Sequence, residues 1–201
     1  MNRERMVVGI TGASGAVYGV TLVQALLERD FDVHLVVTEA GWQVLGEELG
    51  WDTSDRAAAL ERHLAAGRSG RLQWYGLRDY GAPIASGSFR ARGMIVIPCS
   101  MGTLSGIATG ASGNLLERAA DVMLKEGRPL ILVPRETPLN AIHLENMLRL
   151  ARMGAHIVPA MPAFYHRPET VDDMVRFVVG KVLDVCGVDH TLFRRWGEIT
   201  P

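Results

Sequence analysis

The sequence predicts an α/β protein built as a three-layer, doubly wound parallel sheet, flavodoxin-like or Rossmann-like, in a single domain over residues 1–201. Three observations predict it. Short apolar runs without polar alternation, typical of strands buried on both faces, alternate with segments of helical periodicity. Loops rich in glycine and small polar residues follow these apolar runs. No internal repeat, low-complexity segment or linker divides the chain.

The predicted elements follow one another from the N-terminus. Strands are predicted at 6–10, 32–37, 94–98, 129–134 and 155–158. Helices are predicted at 17–29, 39–49, 57–64, 104–108, 114–125, 139–153 and 171–186. Residues 51–90 are the least regular part. In doubly wound sheets, ligands bind beyond the carboxyl ends of the strands, so the segments to inspect are 11–16, 38–48, 98–103 and 134–138.

The composition excludes several classes of protein. The net charge is −1, which creates no long-range field to attract nucleic acid or an anionic membrane. Cys99 and Cys186 lack CxxC spacing, which excludes a disulfide framework and suits a reducing compartment. The first apolar run is too short for a signal peptide, and no run approaches the length of about 20 residues that crosses a bilayer. We therefore expect a cytoplasmic protein.

Three glycines, Gly9, Gly12 and Gly15, lie between the first strand and the first helix. Glycine allows close approach of the backbone to a ligand, and a helix N-terminus offers N–H groups to a phosphate. The same pattern is typical of a tight strand-to-helix turn. It is not the G-x-G-x-x-G fingerprint, and the second strand ends at Thr38 without an acidic residue for a ribose. No tyrosine is followed four residues later by lysine, so a nicotinamide cofactor is disfavoured.

The segment 98–105 carries hydroxyl groups after a predicted strand. They indicate either contacts to a flavin ring or phosphate, or the N-cap of a helix, and the two interpretations are compatible. We interpret Cys99 as a small packed residue rather than a nucleophile, because no His or Asn lies near it in sequence.

Charged side chains follow other predicted strands. Arg135 and Glu136 lie between two prolines, where an arginine can bind a phosphate and a carboxyl group can transfer a proton; a solvated loop is the alternative. Tyr165 stands beside a histidine and an arginine, a group that can bind phosphate or simply pack at a helix entry. Arg118 and Lys125 share one face of a helix and either add to a cationic pocket or lie at the surface.

Together these segments form an ordered set of motifs, at 12–16, 85–88, 98–104, 114–121, 132–138, 143–147, 164–166 and 195–198. The set closely resembles the UbiX family of flavin prenyltransferases across essentially the whole chain. The resemblance implies a fold similar to that of the cysteine-decarboxylase flavoproteins and assembly as a homododecamer. It implies that reduced FMN and dimethylallyl monophosphate are joined, without a metal, through N5 and C6 of the flavin. The product, prenylated FMN, is a cofactor of UbiD-type decarboxylases.

The resemblance also implies residue roles. The implied FMN contacts are Gly12, Ala13, Ser14, Thr38, Ser100, Met101, Gly102, Thr103 and Arg135. The implied prenyl-phosphate pocket comprises Arg118, Lys125, Arg135, Glu136, Tyr165 and Lys181. The implied catalytic residues are Ser14, Glu48, Lys125 and Glu136. Glu47 lies beside Glu48, and which of the two faces the pocket stays open. Well-known family members carry arginine where this chain has Lys181, and lysine loses the bidentate geometry of the guanidinium.

These roles are chemically consistent. Charge accumulates on phosphate as an allylic C–O bond breaks, and the cationic side chains of the pocket would stabilise it. Glu136 would share a proton with the phosphate, and Glu48 with Ser14 would help to remove a proton from the flavin. Tyr80 or Trp196 would shelter an allyl cation. The alternatives are an FMN-dependent decarboxylase of a cysteine-ended peptide, a non-catalytic flavin carrier and a direct carboxylic-acid decarboxylase.

Overall fold

The computed structural model describes residues 3–197. Glu198, the last residue of the motif at 195–198, lies outside the described residues. All strands belong to one parallel sheet in the order β3-β2-β1-β4-β5-β6. Their bounds are β1 Arg5–Ile10, β2 Asp32–Val37, β3 Arg71–Tyr75, β4 Gly93–Cys99, β5 Leu130–Pro134 and β6 His156–Ile157. The predicted doubly wound sheet is confirmed, and its order reverses between β1 and β4.

The helices are α1 Ala16–Glu28, α2 Glu39–Leu49, α3 Arg56–Leu60, α4 Met101–Thr109, α5 Leu115–Lys125, α6 Ala141–Arg152 and α7 Val171–Val185. Within residues 3–197, every α-helix except α1 starts after a side chain that accepts a backbone N–H from the first turn. These N-caps explain where the helices begin. Of the helices in this range, none is long and apolar enough to cross a membrane.

The prediction missed one strand. The five predicted strands are present to within one residue at each end, but β3 lies in the region 51–90 that showed no clear pattern. β3 is an edge strand, paired only with β2, and most of its residues are partly exposed. An edge strand lacks the continuous apolar run of a central strand. The predicted helix at 57–64 is α3, which continues as a π-helical turn, Glu61–Ala65.

The core has two halves, one on each face of the sheet. Alternate residues of β1 point to opposite faces: Val8 packs in the cluster beneath α1 and α7, whereas Val7 packs in the cluster beneath α4 and α5. Gly9 allows α5 to approach β1, because a Cβ there would lie 2.8 Å from Leu116 Cδ1. Both faces of the sheet are therefore covered, as the apolar runs predicted.

A buried histidine joins β2 to β3. The His34 side chain is buried, with Nδ1 2.8 Å from Tyr75 Oη and Nε2 3.4 Å from Asp32 Oδ2. The rings of His34 and Tyr75 stack with centroids 5.8 Å apart. Burial lowers the pKa of His34, Asp32 opposes this shift, and the charges of Arg5 and Arg71 add to it. The net pKa lies below the ordinary value of 6.5, so the ring is neutral at pH 7.

We expect the free energy of unfolding to fall as the pH drops below 6.5, the ordinary pKa of histidine. The unfolded chain binds a proton at His34 that the folded chain resists, so acid favours unfolding. Urea unfolding at pH 7.5 and pH 5 measures the loss. In His34→Gln, which retains a polar side chain toward Tyr75, the loss should be smaller. An equal loss in both proteins would assign the pH dependence to other groups.

Candidate functional site

The candidate site lies at the carboxyl edge of the sheet, where β1 and β4 are neighbours. The Thr11 side chain joins their ends: its hydroxyl donates to the Pro98 carbonyl at 2.7 Å and accepts from the Ser100 N–H at 2.8 Å. Thr11 is fully buried. It therefore sets the spacing between the loop after β1 and the start of α4. Sequence reasoning included Thr11 in a candidate segment but gave it no role, although a polar residue closing a buried strand is a signal.

The loop after β1 packs tightly against the first turn of α2. A Cβ at Gly12 would lie 2.4 Å from the Ala40 Cβ, and Gly15 has φ +102°. A side chain at Gly12 would separate the loop from α2, and Gly15 adopts a conformation that side chains rarely take. The structure supports the tight-turn interpretation of these glycines.

Glu48, near the end of α2, binds the N-terminus of α1. Its carboxylate accepts from the Gly15 N–H at 2.9 and 3.1 Å and from the Ala16 N–H at 2.9 Å. Gly15 and Ala16 N–H are therefore not free for a phosphate, contrary to the expectation that the N-terminus of this helix is open. The contacts also identify Glu48, and not Glu47, as the glutamate that faces the loop, although both side chains are exposed.

Several interactions shift the pKa of the Glu48 carboxyl group in opposite directions. Burial raises its pKa, while a hydrogen bond from the Ser14 side chain, the N–H groups of Gly15 and Ala16, and the charge of Arg135 lower it. The net pKa is below the ordinary value of 4.5. Glu48 is therefore ionised at neutral pH and can accept a proton.

Arg135, directly after β5, reaches the same loop. Its Nε donates to the Ser14 carbonyl at 3.1 Å, and its N–H donates to the Cys99 carbonyl at 3.3 Å. The adjacent Glu136 is exposed, and its carboxylate accepts the Thr137 N–H at 2.9 Å. The ends of β1, β4 and β5 are thus joined around Ser14, with an arginine and two carboxylates nearby.

The segment after β4 begins α4. Ser100 Oγ accepts from the Thr103 N–H at 3.4 Å and donates to Thr103 Oγ1 at 3.1 Å. The N-cap interpretation is confirmed, and it moves the helix start from the predicted 104 to Met101. Gly102, in the first turn, is exposed, and a Cβ there would meet no atom within 4 Å. Thr38 likewise caps α2, accepting from the Gly41 N–H at 3.0 Å.

Cys99 closes β4. It is fully buried, and burial raises the pKa of its thiol to about 12. A thiol with this pKa does not form thiolate at neutral pH, which supports the interpretation of Cys99 as a packed residue.

Tyr165 belongs to the segment that follows β6. That segment runs past the end of β5, where the Ala160 N–H donates to the Pro134 carbonyl at 3.2 Å. The Tyr165 ring packs edge-on against Phe177 and Trp196, with centroids 5.7 and 5.3 Å away. Tyr165 and Trp196 are therefore in contact.

Within residues 3–197, three predicted phosphate ligands, Arg118, Lys125 and Lys181, make no hydrogen bond or ion pair with the group around Ser14. Arg118 donates to the Ala85 carbonyl at 3.1 Å and pairs with Asp121 at 2.7 Å. Lys125 ends α5 just before β5 begins, so the length of β5, about 17 Å for five residues, separates it from Arg135.

Lys181 lies on α7, one turn after Phe177, against which the Tyr165 ring packs, and it pairs with Asp184 at 3.6 Å. Across residues 3–197, no three His, Cys, Asp or Glu side chains are grouped so as to hold a metal ion.

The chain is similar to known flavoproteins. Residues 1–183 match the family model described as Flavoprotein. Flavin prenyltransferase UbiX of Alkalihalophilus pseudofirmus is 64% identical over 193 residues, covering 96% of each chain. The crystal structure of AnUbiX with FMN and dimethylallyl pyrophosphate has a TM-score of 0.87 at 40% identity, covering 99% of this chain and 100% of that one. A dodecameric FMN-dependent UbiX-like decarboxylase from Escherichia coli O157:H7 has a TM-score of 0.86 at 50% identity, covering 96% and 100%.

Two glycine substitutions test which glycine of the site is tightly packed and which lies at an open surface. We expect Gly12→Ala to lower the free energy of unfolding by about 1–3 kcal/mol, the usual cost of overpacking, since its Cβ would overlap Ala40. Gly102→Ala is the matched control: its Cβ meets no atom of the chain, and alanine favours helix, so stability should be unchanged or higher. Thermal or urea unfolding of both variants measures this. Equal stability of the two would contradict the tight contact at Gly12.

Proposed function

Because this chain belongs to the UbiX family of flavin prenyltransferases, we propose that it joins a dimethylallyl group from dimethylallyl monophosphate to N5 and C6 of reduced FMN. The C–O bond of the donor breaks and its electron pair leaves with the phosphate. N5 and C6 each lose a proton, one of which is retained by the isoprenyl unit when the ring closes. The flavin gains C5H8 and stays reduced, so no oxidant is needed. One observation in particular supports the proposal: Glu48, Ser14 and Arg135 lie together where the strand order of the sheet reverses.

The flavin would bind across the ends of β1 and β4. We assign its contacts to the loop after β1, to Thr38, to the first turn of α4 and to Arg135, namely Gly12, Ala13, Ser14, Thr38, Ser100, Met101, Gly102, Thr103 and Arg135. The position fits the rule that doubly wound sheets bind ligands where the strand order reverses. The exposed Gly102 supports this assignment, since a residue without a side chain at a helix N-terminus allows close approach of a ring or a phosphate.

Ser14, Glu48 and Glu136 are the proposed proton-transfer groups at this edge. Glu48 is ionised and bound to the Gly15 and Ala16 N–H groups next to Ser14, so it would accept a proton from the flavin during ring closure. Glu136 is exposed beside Arg135 and would share a proton with the departing phosphate. Tyr165 would contact the substrate from the segment after β6.

The remaining cations of the proposed phosphate pocket are Arg118, Lys125 and Lys181. Within residues 3–197 none of them bonds to the group around Arg135, so we propose that neighbouring copies in a homododecamer complete the pocket. The E. coli relative described above is dodecameric, which supports this assembly. Cations from several copies would then stabilise the charge on the departing phosphate.

The other functions are less well supported. A decarboxylase of a cysteine-ended peptide needs no cationic pocket for a prenyl phosphate, and a flavin carrier needs no ionised Glu48 beside Ser14. The 64% identity to a flavin prenyltransferase favours prenyl transfer over both. We further propose that a UbiD-type decarboxylase receives the product and that the protein acts in the cytoplasm, which suits its free Cys99 and Cys186.

Anaerobic incubation with reduced FMN and dimethylallyl monophosphate should yield a flavin heavier by one C5H8 unit, measured by mass spectrometry after extraction. Oxidised FMN is the control and should stay unchanged, because its N5 is an electron-poor imine nitrogen, whereas N5 of the reduced flavin is a nucleophilic amine. A parallel reaction with dimethylallyl pyrophosphate tests which donor is accepted. An unchanged mass with both donors would leave the decarboxylase or the carrier as the function.

Glu48→Gln should retain FMN binding and lose turnover. Glutamine keeps the size of the side chain but cannot take up the flavin proton, and removing a general base costs about 10²- to 10⁴-fold in rate. Single-turnover kinetics and fluorescence titration with FMN measure the two quantities. Glu47→Gln, one residue earlier in α2 and likewise exposed, is the matched control and should behave as the wild type. Full turnover by Glu48→Gln would remove Glu48 from catalysis.

A further inference from the structure

The chain after α7 folds back along that helix. At the turn, Arg92 Nε donates to the Cys186 carbonyl at 3.0 Å and Arg29 Nε donates to the Asp189 carbonyl at 2.9 Å. Residues 190–197, which we call the return segment, then run from the end of α7 toward Tyr165. Two arginines therefore hold the turn that precedes the return segment.

Asp184, in the last turn of α7, binds the return segment at two places. Its carboxylate accepts from both terminal nitrogens of Arg195, at 2.7 and 3.2 Å, and lies 3.0 Å from His190 Nε2. The same carboxylate is 3.6 Å from the Lys181 ammonium. One side chain thus contacts both ends of the return segment and the proposed phosphate ligand on its own helix.

The state of His190 follows from its hydrogen bonds. Nδ1 accepts from the Leu192 N–H at 3.2 Å, so Nδ1 carries a lone pair and Nε2 carries the proton. Nε2–H therefore donates to Asp184. The His190 side chain is fully buried, so this bond forms away from water and is not readily exchanged for a bond to solvent.

Gly180 gives the return segment room to lie against α7. A Cβ at this position would be 2.5 Å from Phe193 Cε1 and 2.7 Å from His190 Cε1. Glycine within a helix reduces its stability, so its presence here fits the close contact with the two rings. Phe193 also packs on Phe177, with centroids 4.8 Å apart.

The return segment ends at the proposed substrate site. Arg194 donates to the Tyr165 carbonyl at 3.5 Å, and the Trp196 ring packs edge-on against the Tyr165 ring. Trp196 is otherwise 79% exposed, so its position depends on the segment that carries it.

We infer that Asp184 is a positioning residue, which holds the return segment against α7 and so places Trp196 against Tyr165 while orienting Lys181. The inference rests on the proposed function, because Tyr165 and Lys181 are assigned there to the prenyl-phosphate pocket. Asp184 acts through these side chains and does not itself contact the substrate. The Asp184 carboxylate is shared by an arginine, a histidine and a lysine. Hydrogen bonds to a charged group are stronger than neutral ones, so they keep the return segment from detaching from α7.

Two variants test the inference by different physical routes. Asp184→Asn removes the charge, and Gly180→Ala displaces Phe193 and His190 while favouring the helix itself. In both full-length proteins, trypsin should cleave after Arg194 and Arg195 about tenfold faster than in the wild type, as expected for loss of bonds to a charged group. Asp172→Asn, whose partner Arg176 lies on the exposed face of the same helix, is the matched control and should be cleaved at the wild-type rate.

Kinetics then separate a positioning role from a merely structural one. We expect both variants to raise KM for dimethylallyl monophosphate about tenfold, with kcat and FMN affinity nearly unchanged. Asp184→Glu should recover part of the loss. Wild-type cleavage in both variants, or faster cleavage with an unchanged KM, would overturn the inference. If the wild type forms no product, the proposed function fails, and cleavage still decides whether Asp184 holds the return segment.

Discussion

The contact between the ends of β1 and β4 is the constraint on which the candidate site depends. The sheet order reverses between these strands, so the helices that follow them leave toward opposite faces and open a crevice. Thr11 joins the two ends through Pro98 and Ser100 without contact with water. Because a buried hydroxyl needs both its donor and acceptor bonds satisfied, the distance between the ends of β1 and β4 is closely determined.

A second constraint is the carboxylate at the N-terminus of α1. Glycine loops before helices often hold a phosphate, but here Glu48 occupies the Gly15 and Ala16 amides. The helix dipole and the hydrogen bonds stabilise the ionised form, and Arg135 adds to this. An anion supplied by the protein therefore stands at the crevice, and these two amides already have an acceptor.

The cationic side chains of the proposed phosphate pocket lie in separate regions of the chain. Arg135 lies at the carboxyl edge, whereas Arg118 and Lys125 lie on α5 and pair with Asp121 and Glu126. A near-neutral chain that pairs its cations locally has little excess positive charge for an anionic substrate. Bringing cations together from several copies would concentrate charge without a strongly basic monomer, which is the physical reason for proposing a shared pocket.

The sequence by itself determined most of the sheet, its layers and the segments that face the crevice, because strands buried on both faces are local patterns. Apolar runs predicted five strands, whereas the start of α4 was predicted at 104 and lies at Met101, after its cap Ser100. The prediction missed β3, an edge strand without a continuous apolar run. Only the tertiary structure decided that Glu48 rather than Glu47 binds the Gly15 and Ala16 amides, that Thr11 joins two strands, and that Asp184 binds Arg195. These facts depend on which side chains meet across 11 to 89 residues of chain, and no local pattern records such contacts.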